Sequence, residues 1–444
     1  MTAVVGILNK RGVAIAADSA VTRNRPRIRE KKVTKNGNKM LRVSNAVPVS
    51  VMITGNADFL GNPWEVVVRC YRRERGNIPH PTVEACLHDL FDYIASNEQI
   101  WNSNHANHLL EAILDDVFYG AESSVGNVGE RPKSRTYTLS KIYVRDFLKQ
   151  LKKQRDAELA CGVCPQFENF TIDSFRIFAQ STINNWMEDQ TDRRRTHPPY
   201  PKAFMSEIKD ALEQVVFAKL TTRAEDEVGC VSQSSSTTEL IFTGYGAEQE
   251  YPSLIPVLVG GGFANRVNYH VRKQDIVCIS DENPVAICPF AQVDISTAII
   301  KGMQRKCAVS IYEQLLESLT YNGSAIFGEV GDDDLDCEFM AMLSEVKVRD
   351  LGDRMVKEIN NRRNKTQQEW EKQLVNYDLK AMAALAESMI DLTGFQRILT
   401  FQQEGVGGPV DVAVITKNDG FSWLSRKSWY HHKDVNGHYG KLGI

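Results

Sequence analysis

The chain opens on short apolar runs punctuated by turn signals. Ala3–Leu8 reads as a strand, and Asn9-Lys10-Arg11-Gly12 reads as a hairpin turn in which Gly12 tolerates a positive φ. Val13–Ala17 returns as small apolar residues and stops at Asp18. A polar, basic stretch from Arg23 to Lys35 predicts a loop, with Asn36-Gly37 as the next turn signal. Met40–Val43 and Val47–Thr54 predict a second hairpin across Ser44-Asn45-Ala46. Gly55-Asn56-Ala57-Asp58 predicts a helix start, capped by Asn56 or Asp58, with Phe59, Val66, Val67 and Cys70 on its buried side.

The pattern then changes period. Residues 81–96 and 106–119 carry apolar positions three and four apart, as in Val83, Cys86, Leu87, Leu90, Phe91 and Ile94, and predict amphipathic helices. Residues 120–134 read as a Gly/Ser/polar loop, and further helices are predicted over about 137–155, 171–189 and 203–219. Strand character resumes at Glu239–Thr243, Leu254–Val259, Arg266–Val271 and Asp275–Ile279. A long amphipathic helix is predicted over Gln292–Leu319, then helices over about 338–360 and 366–391. Strands return at Gln396–Gln402, Pro409–Ile415 and Phe421–Leu424. Hairpins at both ends with helices between them predict an α+β class, with antiparallel sheets assembled from distant segments; regular βαβ alternation is missing.

Composition narrows the function classes. The 444 residues are 42% hydrophobic and 25% charged, ordinary for a folded chain, so global disorder is excluded. Lys+Arg is 53 against Asp+Glu 56, net −3, which supplies no general field for nucleic acid or an anionic membrane. No apolar run approaches the about 18 residues that span a bilayer. The N-terminus lacks a basic head, a full apolar segment and a small-residue cleavage site, so no signal peptide is expected and the cytoplasm follows by default. Nine scattered cysteines, an odd number, argue for reduced thiols rather than a disulfide framework.

The sharpest chemistry lies at the front. Met1 before a small residue is a substrate for initiator-methionine removal, which makes Thr2 the first residue, with a hydroxyl and a free α-amine together. That pair can serve as nucleophile and general base, and an α-amine titrates at about 7.7–8.0, within reach of neutral pH. The hairpin returns Asp18, at the end of its second strand, beside the start of the first, where Thr2 sits. Lys39, opening the next strand, is in range to set an ammonium between Asp18 and Thr2. The second hairpin ends at Thr54-Gly55, whose amides are candidates for an oxyanion hole. Each residue has a plainer reading: a translation start for Thr2, a turn cap for Asp18, a solvated lysine for Lys39, and a strand-to-helix turn needing positive φ for Gly55.

Taken together, Thr2, Gly12, Ala16-Ala17-Asp18-Ser19, Lys39-Met40-Leu41-Arg42-Val43 and Gly55-Asn56-Ala57-Asp58 resemble proteasome β-type subunits and the related peptidase subunit of the bacterial two-component ATP-dependent protease. Asp18 falls sixteen positions after Thr2, as the family's acidic partner does. The resemblance implies an N-terminal nucleophile hydrolase fold, a four-layer αββα sandwich, here carrying a large, mainly helical insertion. It implies amide-bond hydrolysis by Thr2, with Lys39 tuning its pKa, Asp18 holding Lys39, and the Gly55 amide on the oxyanion, without metal or cofactor. The tail resembles the family's late helix, acid-x-x-[Ser/Gly]-Gly turn and final strand pair, with Glu404 where an aspartate and Gly407 where a serine usually stand. The Asp18–Lys39 segment is longer than in the family. Lys32-Val33 is therefore a competing assignment; Lys39 keeps the following strand and the Gly-x-Ala-Asp turn in step.

The expected organisation is a core segment over 1–75, a helical insertion over 76–236, core strands and a helix over 237–320, a helical segment over 321–384, the rest of the core over 385–430, and a tail over 431–444. The expected partners are a polypeptide or amide substrate, further copies of the chain as a homo-oligomer, and an unfolding ATPase; nucleic acid and membrane are not expected. Two other readings stand beside the peptidase: a non-catalytic assembly or interaction module, and a small-amide hydrolase on the same fold. The lone Cys161-Gly162-Val163-Cys164 lacks the second pair a zinc ribbon needs. Val259-Gly260-Gly261-Gly262-Phe263 lacks the lysine and helix start of a phosphate loop. His431, His432 and His438 read as tail, Asp332–Asp336 lacks calcium-loop spacing, and Arg193-Arg194-Arg195 reads as a solvated run.

Overall fold

The computed structural model describes residues 3–24, 31–34, 37–101, 103–125, 141–193, 200–222, 237–291, 294–302, 307, 310–311, 313–314, 354, 357–399 and 408–427. The chain divides into two compact units, one of 1–39, 250–252 and 278–444, the other of 40–249 and 253–277. Both mix helices with antiparallel sheets, as the hydrophobic pattern predicts.

The strands of the first unit are β1 (Ala3–Asn9), β2 (Gly12–Asp18), β3 (Val21–Asn24) and β4 (Lys31–Thr34). The second unit adds β5 (Met40–Arg42), β6 (Val49–Gly55), β7 (Asp58–Phe59), β8 (Asn62–Pro63), β9 (Thr238–Gly244), β10 (Ser253–Phe263) and β11 (Arg266–Val271), and β12 (Val277–Cys278) lies at the boundary. Back in the first unit are β13 (Val285–Ala291), β14 (Val410–Thr416) and β15 (Gly420–Ser425).

The first unit is a five-stranded antiparallel sheet in the order β13-β1-β2-β14-β15. The N-terminal hairpin forms where its pattern predicts, with Val4 opposite Ala17. Its neighbours come from far along the chain: Ala3 pairs with Ala291 and Val410 with Asp18. Every residue of β1 and β2 is buried, the near-continuous apolar pattern of strands covered on both faces. On one face Ala3, Val5, Ile7, Ala14 and Ala16 meet Met382, Ala386, Met389 and Ile390 of a helix at Leu379–Leu399. A Cβ at Gly12 would lie 2.6 Å from the Ile415 carbonyl of β14, so the close strand approach itself requires glycine there.

Several expectations in this unit are corrected. The basic stretch 23–35 is not all loop, because β3 and β4 pair, with Val21 opposite Thr34 and Thr22 opposite Val33; β-branched residues favour that ribbon. Val285–Ala291, given no element from sequence, is an edge strand, a position where a sheet tolerates Pro289. Of the helix expected over Gln292–Leu319, Asp294–Lys301 is a continuous helix, and most of the remainder lies outside the described residues. The helix expected over 366–391 is broken: residues 357–374 are helical, a turn follows, and Asp378 starts the next helix by accepting from the Ala381 amide at 2.7 Å. That helix runs on to Leu399, so the strand expected at Gln396–Gln402 starts as helix.

The second unit holds the order β11-β10-β9-β6-β5 and, among the described residues, six α-helices: α1 (Trp64–Arg75), α2 (Val83–Ser96), α3 (Ser103–Val125), α4 (Lys141–Ala160), α5 (Ile172–Arg193) and α6 (Met205–Thr221). One core joins the sheet to α1 and α2 through Val51, Phe242, Val257, Trp64, Leu87 and Phe91. A second packs α3–α6 around Phe118, Phe147, Phe175, Trp186 and Val216. Helix α1 does not start at Gly55–Asp58. Asn56 spends its side-chain amide on the Asp58 carbonyl, and Leu60 (φ 48°) and Gly61 (φ 77°) turn the chain through a short β7–β8 ribbon first. Phe59 is therefore buried from the ribbon, and the buried helix residues are Trp64, Val67, Val68 and Tyr71. Cys161 is disulfide-bonded, which corrects the expectation of reduced thiols throughout; Cys164 keeps its thiol, which donates to Gln166 Oε1 at 2.7 Å.

Candidate functional site

Asp18 ends β2, one register step from where β1 begins. Its Oδ1 accepts the Lys39 ammonium at 2.6 Å and the Ala3 backbone N–H at 2.9 Å, and its Oδ2 accepts from the Ala20 N–H at 3.3 Å. Asp18 is 1% exposed and Lys39 6%. A carboxylate taken out of water needs donors on both oxygens, and Asp18 has them. Burial pushes the Lys39 ammonium below the ordinary lysine value; the Asp18 charge and hydrogen bond oppose that, Lys427 adds to the lowering and Asp411 offsets it. Two of the residues singled out from sequence are thus brought into direct contact, against the amide that follows Thr2.

A second buried pair shares this end of the sheet. Asp411 sits in β14 opposite Ala17. Its Oδ2 accepts Lys427 Nζ at 2.6 Å and its Oδ1 accepts the Lys427 backbone N–H at 2.8 Å. The same ammonium donates to the Gly37 carbonyl at 2.7 Å and lies 3.5 Å from Ser19 Oγ. Ser19 Oγ donates to the Pro409 carbonyl at 2.7 Å, and the Ser19 carbonyl accepts from Gly37 N–H at 3.0 Å. Sequence reasoning gave Asp411 and Lys427 no role. Asp411 alternates with apolar residues in β14, and Lys427 stands in a basic cluster, Arg426-Lys427, that reads as solvated. The available signal was register: a strand pairing with β2 through the last residues before Asp18 sets Asp411 beside it.

Thr2, Glu404 and Gly407 lie outside the described residues, as does the side chain of Lys32. Gly55 belongs to the second unit, at the exposed end of β6. Its φ is 78°, and a Cβ there would lie 2.5 Å from the Thr237 carbonyl, which also accepts the Asn56 N–H at 3.0 Å. The turn itself therefore demands glycine. A cavity of about 230 Å³ adjoins it, lined by Asn56, Asp58, Phe59, His108 and Thr238 among others.

The glycine run after Val259 is part of β10, with a register shift between Val259 and Gly261 against β11. A Cβ at Gly262 would lie 2.6 Å from the Trp101 ring, so packing accounts for that glycine. Asp332–Asp336, His431, His432 and His438 lie outside the described residues, as do Arg194 and Arg195. Among the described residues, no three His, Cys, Asp or Glu side chains are grouped to hold a metal ion, and no helix is long and apolar enough to cross a membrane. Protein-family models, curated proteins and solved structures offer no match to this chain.

Proposed function

We propose that the chain is a threonine-type N-terminal nucleophile hydrolase acting on peptide or other amide bonds. One observation carries the reading: Asp18 Oδ1 takes both the Lys39 ammonium and the Ala3 amide, in a buried setting. That contact ties a lysine–carboxylate pair to the residue following Thr2, which is the arrangement the reading needs. The burial of β1 and β2 on both faces favours an interior sheet, and the four-layer αββα sandwich goes with the same reading.

In this reading removal of Met1 frees the Thr2 amine. The amine takes the Thr2 hydroxyl proton as Oγ bonds to the amide carbon, and the oxyanion that forms takes hydrogen bonds from backbone N–H donors. The carbon–nitrogen bond then breaks, the proton passes to the leaving amine, and water resolves the acyl ester. The charged Lys39 favours the alkoxide and lowers the pKa of the α-amine, toward neutral pH where a general base is most useful.

Intact mass of the purified full-length chain tests the premise: Met1 is expected to be absent, and an electrophile selective for N-terminal threonine is expected to add once, on Thr2. Thr2→Ala should abolish hydrolysis across a panel of protein, peptide and small-amide substrates, and the panel assigns the substrate class. A retained Met1, or function indifferent to Thr2→Ala, would instead make the chain a non-catalytic module.

A further inference from the structure

The Lys427–Asp411 pair is anchored to the same two segments that hold the Asp18–Lys39 pair. Lys427 is seized at three points: the Asp411 carboxylate, the Gly37 carbonyl and, more loosely, Ser19 Oγ. Gly37 stands two residues before Lys39, and Ser19 follows Asp18 directly. Gly37 N–H is itself bound to the Ser19 carbonyl, so the segment leading to Lys39 is tied from both its amide and its carbonyl side. Side-chain exposures of 2% for Lys427 and 4% for Asp411 are far from those of a surface pair.

A buried pair of this kind is a weak device for stability, because desolvation offsets much of its attraction. It is well suited to fixing geometry. We propose that Lys427, held by Asp411, is a positioning residue for Lys39, keeping the Gly37–Lys39 segment in place so that the Lys39 ammonium stays on Asp18. The inference rests on the reading of Asp18 and Lys39 as partners of Thr2. The charges that face Lys39 are Asp18 from β2, Asp411 from β14 and Lys427 just beyond β15, and the latter two act on its ammonium in opposite directions.

The test follows from that geometry. The full-length chain is labelled with 13Cε-lysine, and the Lys39 signal is assigned by its loss in Lys39→Arg. Its titration is followed without substrate, with Asp18 intact and as Asp18→Asn. In the otherwise wild-type chain and in Lys427→Arg, Asp18→Asn should lower the Lys39 midpoint, because the ammonium loses the carboxylate it rests on. In Lys427→Met and in Asp411→Asn that downward shift should shrink or vanish, because the segment no longer keeps the ammonium on Asp18. A pair that merely braces the fold leaves the full Asp18→Asn shift in every variant, and that result overturns the inference. Should Lys427→Met not fold, Asp411→Asn decides the matter alone. The signal needs no turnover, so an inert Thr2 would defeat the proposed function while the lysine titration still decided the role of Lys427.

Discussion

At the scale of single residues, Asp18 and Lys39 face a known asymmetry. Removing one member of a buried pair strands the other charge and costs about 3–5 kcal/mol, whereas replacing both is far cheaper. Asp18→Asn and Lys39→Met are each expected to lower stability on that scale, and the double variant to recover most of the loss, in a denaturant-unfolding cycle. Additive losses would mean that the 2.6 Å contact carries no coupling. The pH dependence has a definite sign. If hydrolysis needs the charged Lys39, the rate falls as pH rises through its folded pKa. Burial sets that value below the ordinary lysine value, so the alkaline limb should come earlier than a solvated lysine at about 10.4 would place it. In Lys39→Met that limb should vanish from the pH–rate profile along with most of the rate.

At the scale of elements, helix α2 shows what local sequence can specify. Thr82 caps it by accepting the Ala85 N–H at 3.0 Å, and its buried face, Cys86, Leu87, Leu90, Phe91 and Ile94, is the predicted one. Thr82→Ala should cost about 1 kcal/mol and Thr82→Ser should restore it, read as a shift in thermal midpoint. Where a single element carries its own period, cap or turn, as in the first hairpin and in α2–α6, the sequence was readable, except that α3 runs to Val125, into the stretch 120–134 read as loop. It was not where a distant partner decides. Val285–Ala291 becomes a strand by pairing with β1. Asn56 looks like a helix cap, yet its amide holds the Asp58 carbonyl. The candidate site divides the same way. Asp18 and Lys39 could be picked out because the hairpin turns Asp18 back toward the chain start, but the Lys427–Asp411 pair spans the β14–β15 turn and touches Gly37 and Ser19 nearly four hundred residues earlier. No window along the chain contains that contact.

At the scale of the whole molecule, the first unit is assembled from segments far apart in sequence. β1 and β2 lie between β13 on one side and β14–β15 on the other, so the opening hairpin has no complete sheet until the end of the chain arrives. Such non-local pairing pays its loop-closure entropy before its contacts form. The second unit keeps its own cores, centred on Val51, Phe242 and Trp64 and on Phe118, Phe147 and Phe175. Removing residues 408–444 deletes β14 and β15, strips the β2 edge of its hydrogen bonds and takes away Asp411 and Lys427 together. Amide hydrogen exchange on that truncated chain should lose protection over residues 3–18 while keeping it over 49–55 and 238–259. Protection kept at 3–18 would mean that the hairpin draws its stability from β13 and the Leu379–Leu399 helix alone. Loss across 49–55 as well would mean that the second unit's cores do not sustain it without the first unit's sheet.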